Sequence, residues 1–192
     1  MPKLKLLITG DSFAADWSSV SKSKGWPNLL TEEYDVTNIA QAGCSEYKIY
    51  KQLCSVDLQS FDHIIVCHTS PYRIYVKENP IHHSKPLHKN SCFIYNDIVE
   101  HDLSCIKEYF EKYFDLEYAE HIHNLLIKEI DAMCPAHTLH IANFEWDRLY
   151  TCKNWLDLYP IFKSNRGNVN HYNSKGNKLV YNTIGNKLKN NE

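Results

Sequence analysis

Short apolar runs alternate with helical patterns along this chain. The runs that predict buried strands are 4–8, 34–39, 63–67 and 138–142, and the sequence Ile64-Ile65-Val66 is typical of a central strand. The segments that predict helices are 28–33 after Pro27, 45–53, one or two helices over 106–133, and 175–188. Strands alternating with helices predict an α/β fold with a central parallel sheet. Because ligands bind at the carboxyl ends of such strands, we expect functional residues in the loops that follow them.

The length of the chain predicts one domain. A chain of 192 residues can be organised around a single core, so we expect residues 1–192 to form one unit. Residues 71–100 show little periodicity and are rich in proline and histidine. We therefore interpret that stretch as an insertion in the domain, and such insertions are often functional.

Charge and hydropathy exclude several classes of partner. The formal net charge is −2, with 23% charged residues, which argues against a basic surface for nucleic acid or for an anionic membrane. No apolar run approaches the ~20 residues that cross a bilayer. The apolar run near Met1 is also too short for a signal peptide, so we expect a cytoplasmic protein.

Cysteine and histidine spacings predict neither disulfides nor a metal. Seven cysteines are an odd number without CxxC spacing, and a reducing compartment would keep them as thiols. His82, His83 and His88 share the insertion but match no familiar ligand spacing. His137 and His140 lie at the two ends of a short strand and are expected to point to opposite sides. The sequence therefore predicts no metal and no cofactor.

A tripeptide that could carry a nucleophile follows the first predicted strand. Gly10-Asp11-Ser12 fits a tight turn, and a following helix would direct N–H groups at the site. A serine hydroxyl reacts only when a base takes its proton and donors hold the oxyanion. Taken alone, the tripeptide fits a helix N-cap formed by Asp11 or Ser12 at least as well.

Two further segments change that balance. Residues 38–45, with the sequence Asn-Ile-Ala-Gln-Ala-Gly-Cys-Ser, follow the second strand. Residues 168–176, with the sequence Asn-Val-Asn-His-Tyr-Asn-Ser-Lys-Gly, precede the last helix. Together with Gly10-Asp11-Ser12-Phe13 they resemble the first, second and fifth conserved blocks of the SGNH (GDSL-like) hydrolases, in the same order. The resemblance implies a three-layer, flavodoxin-like fold and the hydrolysis of esters, often of acyl groups on sugars or lipids.

The resemblance also implies roles for individual residues. Ser12 would be the nucleophile, and its own N–H and that of Gly43 would hold the oxyanion. His171 would act as the base for Ser12 and then as the acid for the leaving alcohol. A glycine at position 43 is physically reasonable, because a residue without a Cβ lets the backbone approach a ligand closely.

The first departure from the family pattern concerns the partner of the histidine. Asn168 occupies the position where the family has an aspartate that orients the imidazole. An amide can accept a hydrogen bond from the ring but carries no charge. The site would then work as a Ser–His pair, or a carboxylate would come from elsewhere, with Glu145 and Asp147 the nearest candidates by topology.

The second departure concerns the oxyanion hole. The family has Gly-x-Asn-Asp after the central strand, whereas residues 67–73 here read Cys-His-Thr-Ser-Pro-Tyr-Arg. A third donor would have to be His68, Thr69 or Ser70, with Thr69 as first choice, or it would be missing. Arg73 could pair with a substrate carboxylate or phosphate, or could be a surface arginine.

From these residues we expect a serine esterase. The predicted reaction removes a small acyl group, such as acetyl, from a carbohydrate-like or other small substrate. The alternatives are an acyltransferase that uses the same Ser–His pair and a catalytically inactive SGNH-fold binding protein. The expected partner is a small-molecule ester, with no nucleic acid and no membrane, and the sequence does not fix the oligomeric state.

Overall fold

The strands of the chain form a parallel sheet. The computed structural model describes residues 2–19, 24–79, 81, 87–88, 91–94, 100–101, 103–145, 150–167 and 171–189. The strands in this part of the chain are β1 (Lys5–Gly10), β2 (Asp35–Asn38), β3 (His63–His68), β4 (Leu139–Ala142) and β5 (Trp155–Asp157). They pair in parallel in the order β2-β1-β3-β4-β5, which is the flavodoxin-like order. The predicted α/β class with a central parallel sheet is confirmed, and the Ile64–Val66 run is central.

The helices of the chain include at least one in every numbered segment where the sequence patterns predict a helix. Those of the described residues are α1 (Trp26–Leu30), α2 (Glu46–Cys54), α3 (Ser104–Lys112), α4 (Leu116–Met133), α5 (Tyr159–Ser164) and α6 (Ser174–Lys189), with a short 3-10 helix at Leu58–Ser60. Pro27 occupies the first turn of α1. The predicted stretch 106–133 is two helices, because Asp115 caps a new helix by accepting from the Tyr118 N–H at 2.8 Å.

Alternation along β3 divides the core into two layers. Ile65 and Cys67 pack with residues of α1, α5 and α6 on one side of the sheet. Ile64 and Val66 pack with residues of α2 and α4 on the other side. The sheet is therefore covered on both faces, which gives the three layers that the resemblance implied.

Two elements were not predicted from the sequence. Strand β5 is only three residues long and partly exposed, so it leaves no apolar run to recognise. It pairs with β4 through His140 and Trp155. Helix α5 has six residues, too few for a helical period to stand out.

The predicted insertion at 71–100 returns to the sheet edge. Among its described residues, Ile74 and Phe93 form an antiparallel bridge, and the Asn79 amide donates to the carbonyl and the hydroxyl of Ser91. His82 and His83 lie outside the described residues. The single domain over residues 1–192 stays a prediction.

Two further observations concern expectations from composition. None of the helices in the described ranges is both long and apolar enough to cross a lipid bilayer. All seven cysteines belong to the described residues, and all are free thiols there.

The close approach of β1 and β3 at Gly10 gives a first prediction. Gly10 has a φ of +144°, and a Cβ built on it would lie 2.5 Å from the Cβ of Cys67. Gly10→Ala should therefore lower the free energy of unfolding by about 3 kcal/mol, the upper end of overpacking costs. Urea denaturation followed by circular dichroism measures this change.

Gly185 in α6 is the matched control for that substitution. Outside its own helix backbone, a Cβ at Gly185 would meet no atom of the described residues within 4 Å. Gly185→Ala should raise the free energy of unfolding by about 0.5–1 kcal/mol, because alanine favours a helix over glycine. Equal effects of the two substitutions would contradict the described approach of β1 to β3.

Candidate active site

The turn that carries Ser12 begins where β1 ends. The Gln52 side chain holds the end of the strand, accepting from the Gly10 N–H at 2.8 Å and donating to the Gly10 carbonyl at 3.1 Å. The N–H groups of Ala14 and Ala15 then donate to the Asp11 carbonyl. Residues 12–14 form a turn and not the helix expected from the sequence, and the next helix among the described residues begins at Trp26. Ser12 is partly exposed on this turn.

Asp11 is a fully buried carboxylate beneath Ser12. Its Oδ1 accepts from the Phe13 N–H at 3.0 Å, and its Oδ2 accepts from the Thr69 hydroxyl at 3.0 Å. The Arg73 guanidinium lies 3.8 Å from Oδ2. Burial raises the pKa of Asp11, and this rise is opposed by Arg73, by the two hydrogen bonds and by the charge of His171.

Gly43 lies in the loop after β2, beside the Ser12 turn. Its φ of +70° favours glycine, and a Cβ there would lie 2.5 Å from the Cβ of Ser91. The same Cβ position lies 3.7 Å from Nη1 of Arg73. The loop is held from both sides, because the Gln41 N–H donates to the Gly10 carbonyl and the Cys92 N–H donates to the Gly43 carbonyl.

Arg73 extends from the loop after β3 to the Ser12 edge of the sheet. Its side chain is only 11% exposed, and its Nε donates to the Thr69 hydroxyl oxygen at 3.0 Å. The guanidinium therefore lies between Asp11 and Gly43. This buried position does not fit a surface arginine, and pairing of Arg73 with a substrate carboxylate or phosphate stays a prediction.

His171 lies against the Ser12 turn. The centroid of its ring is 5.1 Å from that of Phe13 and 5.1 Å from that of Trp17. The indole Nε1 of Trp17 donates to the Ser12 carbonyl at 2.8 Å. The neighbouring Tyr172 is buried, and its hydroxyl bonds Asn143, which fixes the segment that carries the imidazole.

The predicted partners of His171 are only partly described. Asn168 and Asp147 lie outside the described residues. Glu145 is exposed, and a hydrogen bond to its carboxylate raises the pKa of Tyr159. The third member of a catalytic triad therefore stays a prediction.

The three candidate oxyanion donors after β3 point in different directions. His68 is buried on the α2 side of the sheet, where Nδ1 lies 2.7 Å from Oε1 of Glu46. The single hydroxyl proton of Thr69 is donated to Asp11. Ser70 accepts from the Tyr72 N–H at 3.4 Å. The role of these residues as oxyanion donors stays a prediction. The Arg73 guanidinium lies beside the Gly43 loop and has more N–H donors than any of the three side chains.

Glu46 is a buried residue that sequence reasoning missed. Its carboxylate contacts His68 and His123 and accepts from the Thr69 N–H at 3.2 Å. Burial alone would raise the pKa of Glu46, but the charges and hydrogen bonds of the two histidines hold it below its ordinary range. Its position three residues before Ile49, on the buried face of α2, was the available signal.

The Thr69 hydroxyl gives a prediction about stability. Thr69→Val should lower the free energy of unfolding by about 1–3 kcal/mol, because the buried Asp11 loses a donor. Thr9→Val in β1 is the matched control, since the buried Thr9 hydroxyl has no hydrogen-bond partner among the described residues. That control should be neutral or stabilising by urea denaturation, and equal losses in the two variants would contradict the assigned hydrogen bond.

Comparisons with known proteins give similarities at the level of the fold. No protein-family model matches the chain, and no curated protein matches it either. An acetylxylan esterase from Geobacillus stearothermophilus, solved as a catalytic mutant, superposes with a TM-score of 0.48 and 12% identity over 98% of this chain and 95% of its own. An extracellular lipase from Streptomyces rimosus superposes with a TM-score of 0.35 and 12% identity over 98% of this chain and 74% of its own. At these scores no residue role or activity is carried over from either protein.

Proposed function

We propose that this protein is a serine carboxylic ester hydrolase, with Ser12 as nucleophile and His171 as base. The observation that carries the proposal is the contact of two sequence segments at one sheet edge. The His171 ring packs on Phe13 and Trp17, and Trp17 is bonded to the carbonyl of Ser12 itself. The two residues that the sequence paired by resemblance thus come from opposite ends of the chain to neighbouring positions.

The proposed reaction has two steps with balanced proton transfers. The Ser12 Oγ attacks the ester carbonyl carbon while His171 takes the hydroxyl proton. The tetrahedral intermediate then expels the alcohol, which receives that proton from the imidazolium. In the second step His171 deprotonates a water that attacks the acyl-enzyme. The bond between the acyl carbon and Ser12 Oγ then breaks, Oγ takes the proton back from the imidazolium, and the acid is released.

The oxyanion would be held by backbone N–H groups and by Arg73. The N–H groups of Ser12 and Gly43 are the donors that the family resemblance implies. The guanidinium beside Gly43 supports Arg73 as the third donor, in place of the missing asparagine and ahead of Thr69. A positive charge there would stabilise the developing negative charge directly.

Negative charge near His171 would help the imidazolium to form. Asp11 interacts electrostatically with His171, although burial and Arg73 are the larger influences on its pKa. This carboxylate lies beneath the nucleophile and does not depend on Asn168. An ionised Asp11 would therefore supply part of the charge that the asparagine lacks.

Exposed tyrosines near Arg73 support a carbohydrate-like substrate. Tyr72 and Tyr75 flank Arg73 and are 36% and 49% exposed, and Tyr47 meets the Tyr75 ring edge to face at 5.3 Å. Flat aromatic faces with polar edges suit the C–H face and the hydroxyl groups of a sugar ring. Acetyl is the proposed acyl group, and its identity rests on the sequence resemblance.

Ser12 can be tested by substitution and by covalent labelling. Ser12→Ala should abolish turnover of an aryl acetate and leave the melting temperature nearly unchanged, since the hydroxyl is partly exposed on a turn. An organophosphonate should label the wild type with time, and the alanine variant should stay unlabelled in intact-mass spectra.

Three outcomes separate the alternatives. An unlabelled wild type would favour an inactive binding protein, and retained turnover in Ser12→Ala would end the proposal. Acyl transfer to an added alcohol that outruns hydrolysis would favour an acyltransferase.

Arg73 gives a test of the oxyanion hole. Arg73→Gln should lower kcat by ~10²–10³-fold with a smaller effect on KM, the pattern of an interaction made mainly in the transition state. Arg73→Lys keeps the positive charge beside Asp11 but lacks the planar guanidinium and its paired N–H donors. Its kcat should therefore lie between those of Arg73→Gln and the wild type. Melting temperatures of both variants show whether the fold is kept, and wild-type kcat in folded Arg73→Gln would remove Arg73 from the mechanism.

A further inference from the structure

Two buried histidines meet edge to edge on the α2 side of the sheet. His68 ends β3 and His140 lies in β4, and both side chains are almost completely buried. His68 Nε2 lies 3.0 Å from His140 Nδ1, and the ring planes differ by only 11°. The centroids are 5.2 Å apart, so the rings lie in nearly one plane with two nitrogens facing each other.

Each histidine has a carboxylate on its outer nitrogen. His68 Nδ1 lies 2.7 Å from Glu46 Oε1, and His140 Nε2 lies 3.4 Å from Asp131 Oδ1. The Glu46 carboxylate accepts, so the outer nitrogen of His68 holds a proton. The two inner nitrogens share a hydrogen bond, and loss of the proton between them would leave a lone pair on each. A metal cation that displaced this proton would be bound by both rings, in the carboxylate–histidine–metal arrangement of known sites.

Cys152 completes a set of three ligands. Its Sγ and one nitrogen from each histidine all lie within 4.8 Å of one another, and all three residues are buried. One thiolate and two imidazoles are donors that Zn²⁺ favours. Tetrahedral Zn²⁺, with bonds of about 2.0–2.1 Å to nitrogen and about 2.3 Å to sulfur, needs its ligand atoms about 3.3–3.6 Å apart. Binding would require the two rings to turn until both lone pairs point at the ion, with the nitrogens separating by a few tenths of an ångström and the sulfur moving inward by about 1.2 Å at most.

We propose that His68, His140 and Cys152 form a binding site for Zn²⁺, with Glu46 and Asp131 orienting the two imidazoles. Two neutral rings, a thiolate and Zn²⁺ carry a net charge of +1, which opposes the charge of the two carboxylates. The proposal replaces the sequence-based expectation of no metal, and it does not depend on the proposed esterase activity. The site lies one residue from Thr69, so its role is to fix the loop that follows β3.

The test uses the full chain with Co²⁺ and Zn²⁺ as probes. Protein dialysed against a chelator should bind one equivalent of Co²⁺, with visible bands of tetrahedral cobalt and a thiolate-to-cobalt charge-transfer band. Cys152→Ser should lose the charge-transfer band. A variant with the exposed thiols Cys54 and Cys105 both changed to serine should keep it, which excludes adventitious surface binding.

Asp131→Asn tests the orienting carboxylates. It should weaken Zn²⁺ binding by ~10–100-fold in competition with a chromophoric chelator. If Cys152→Ser does not fold, the titration of the wild type and of Asp131→Asn still decides the question. Failure of the folded wild type to bind one equivalent, or a charge-transfer band that disappears with Cys54 and Cys105, would overturn the proposal and leave a proton between the two histidines.

Discussion

Two carboxylates are buried at the same edge of the sheet, and the arrangement around them depends on how their charges are compensated. Removing a partner from a buried ion pair typically costs several kcal/mol, so neither Asp11 nor Glu46 is tolerated without close donors. Thr69 serves both, since its hydroxyl donates to Asp11 and its N–H donates to Glu46. Its carbonyl accepts from His123 as well. One residue after β3 thus joins the layer of α2 and α4 to the turn that carries Ser12.

The strand order explains why this edge suits a ligand. The order reverses between β1 and β3, and in open parallel sheets the crevice at such a reversal is where ligands bind. Ser12 follows β1 and Thr69 follows β3, so the proposed nucleophile and the loop that carries Arg73 lie on the two sides of that crevice. The loop of Gly43 closes it from β2, where a backbone without a Cβ leaves room beside the guanidinium.

Much of the fold could be predicted from the sequence, because buried strands and amphipathic helices leave local patterns. The site was less accessible, because its contacts join residues far apart in the chain. His68 was one of three candidate oxyanion donors, but in the alternation along β3 it falls with Ile64 and Val66, whose side chains point to the α2 side. Counting alternation along β3 would have placed it correctly. No local pattern links His140 to Asp131 or to Cys152, since their meeting follows from the pairing of β4 with β5 and the packing of α4.

The indole of Trp17 lies against the proposed base and is bonded to the backbone of the proposed nucleophile. A protonated imidazole in contact with an indole quenches its fluorescence, whereas a neutral one does so much less. The fluorescence of Trp17 should therefore change when His171 gains a proton and when a ligand displaces solvent from Ser12. The chain has three other tryptophans, so a variant that keeps Trp17 alone would carry its own optical reporter where ionisation and binding would occur.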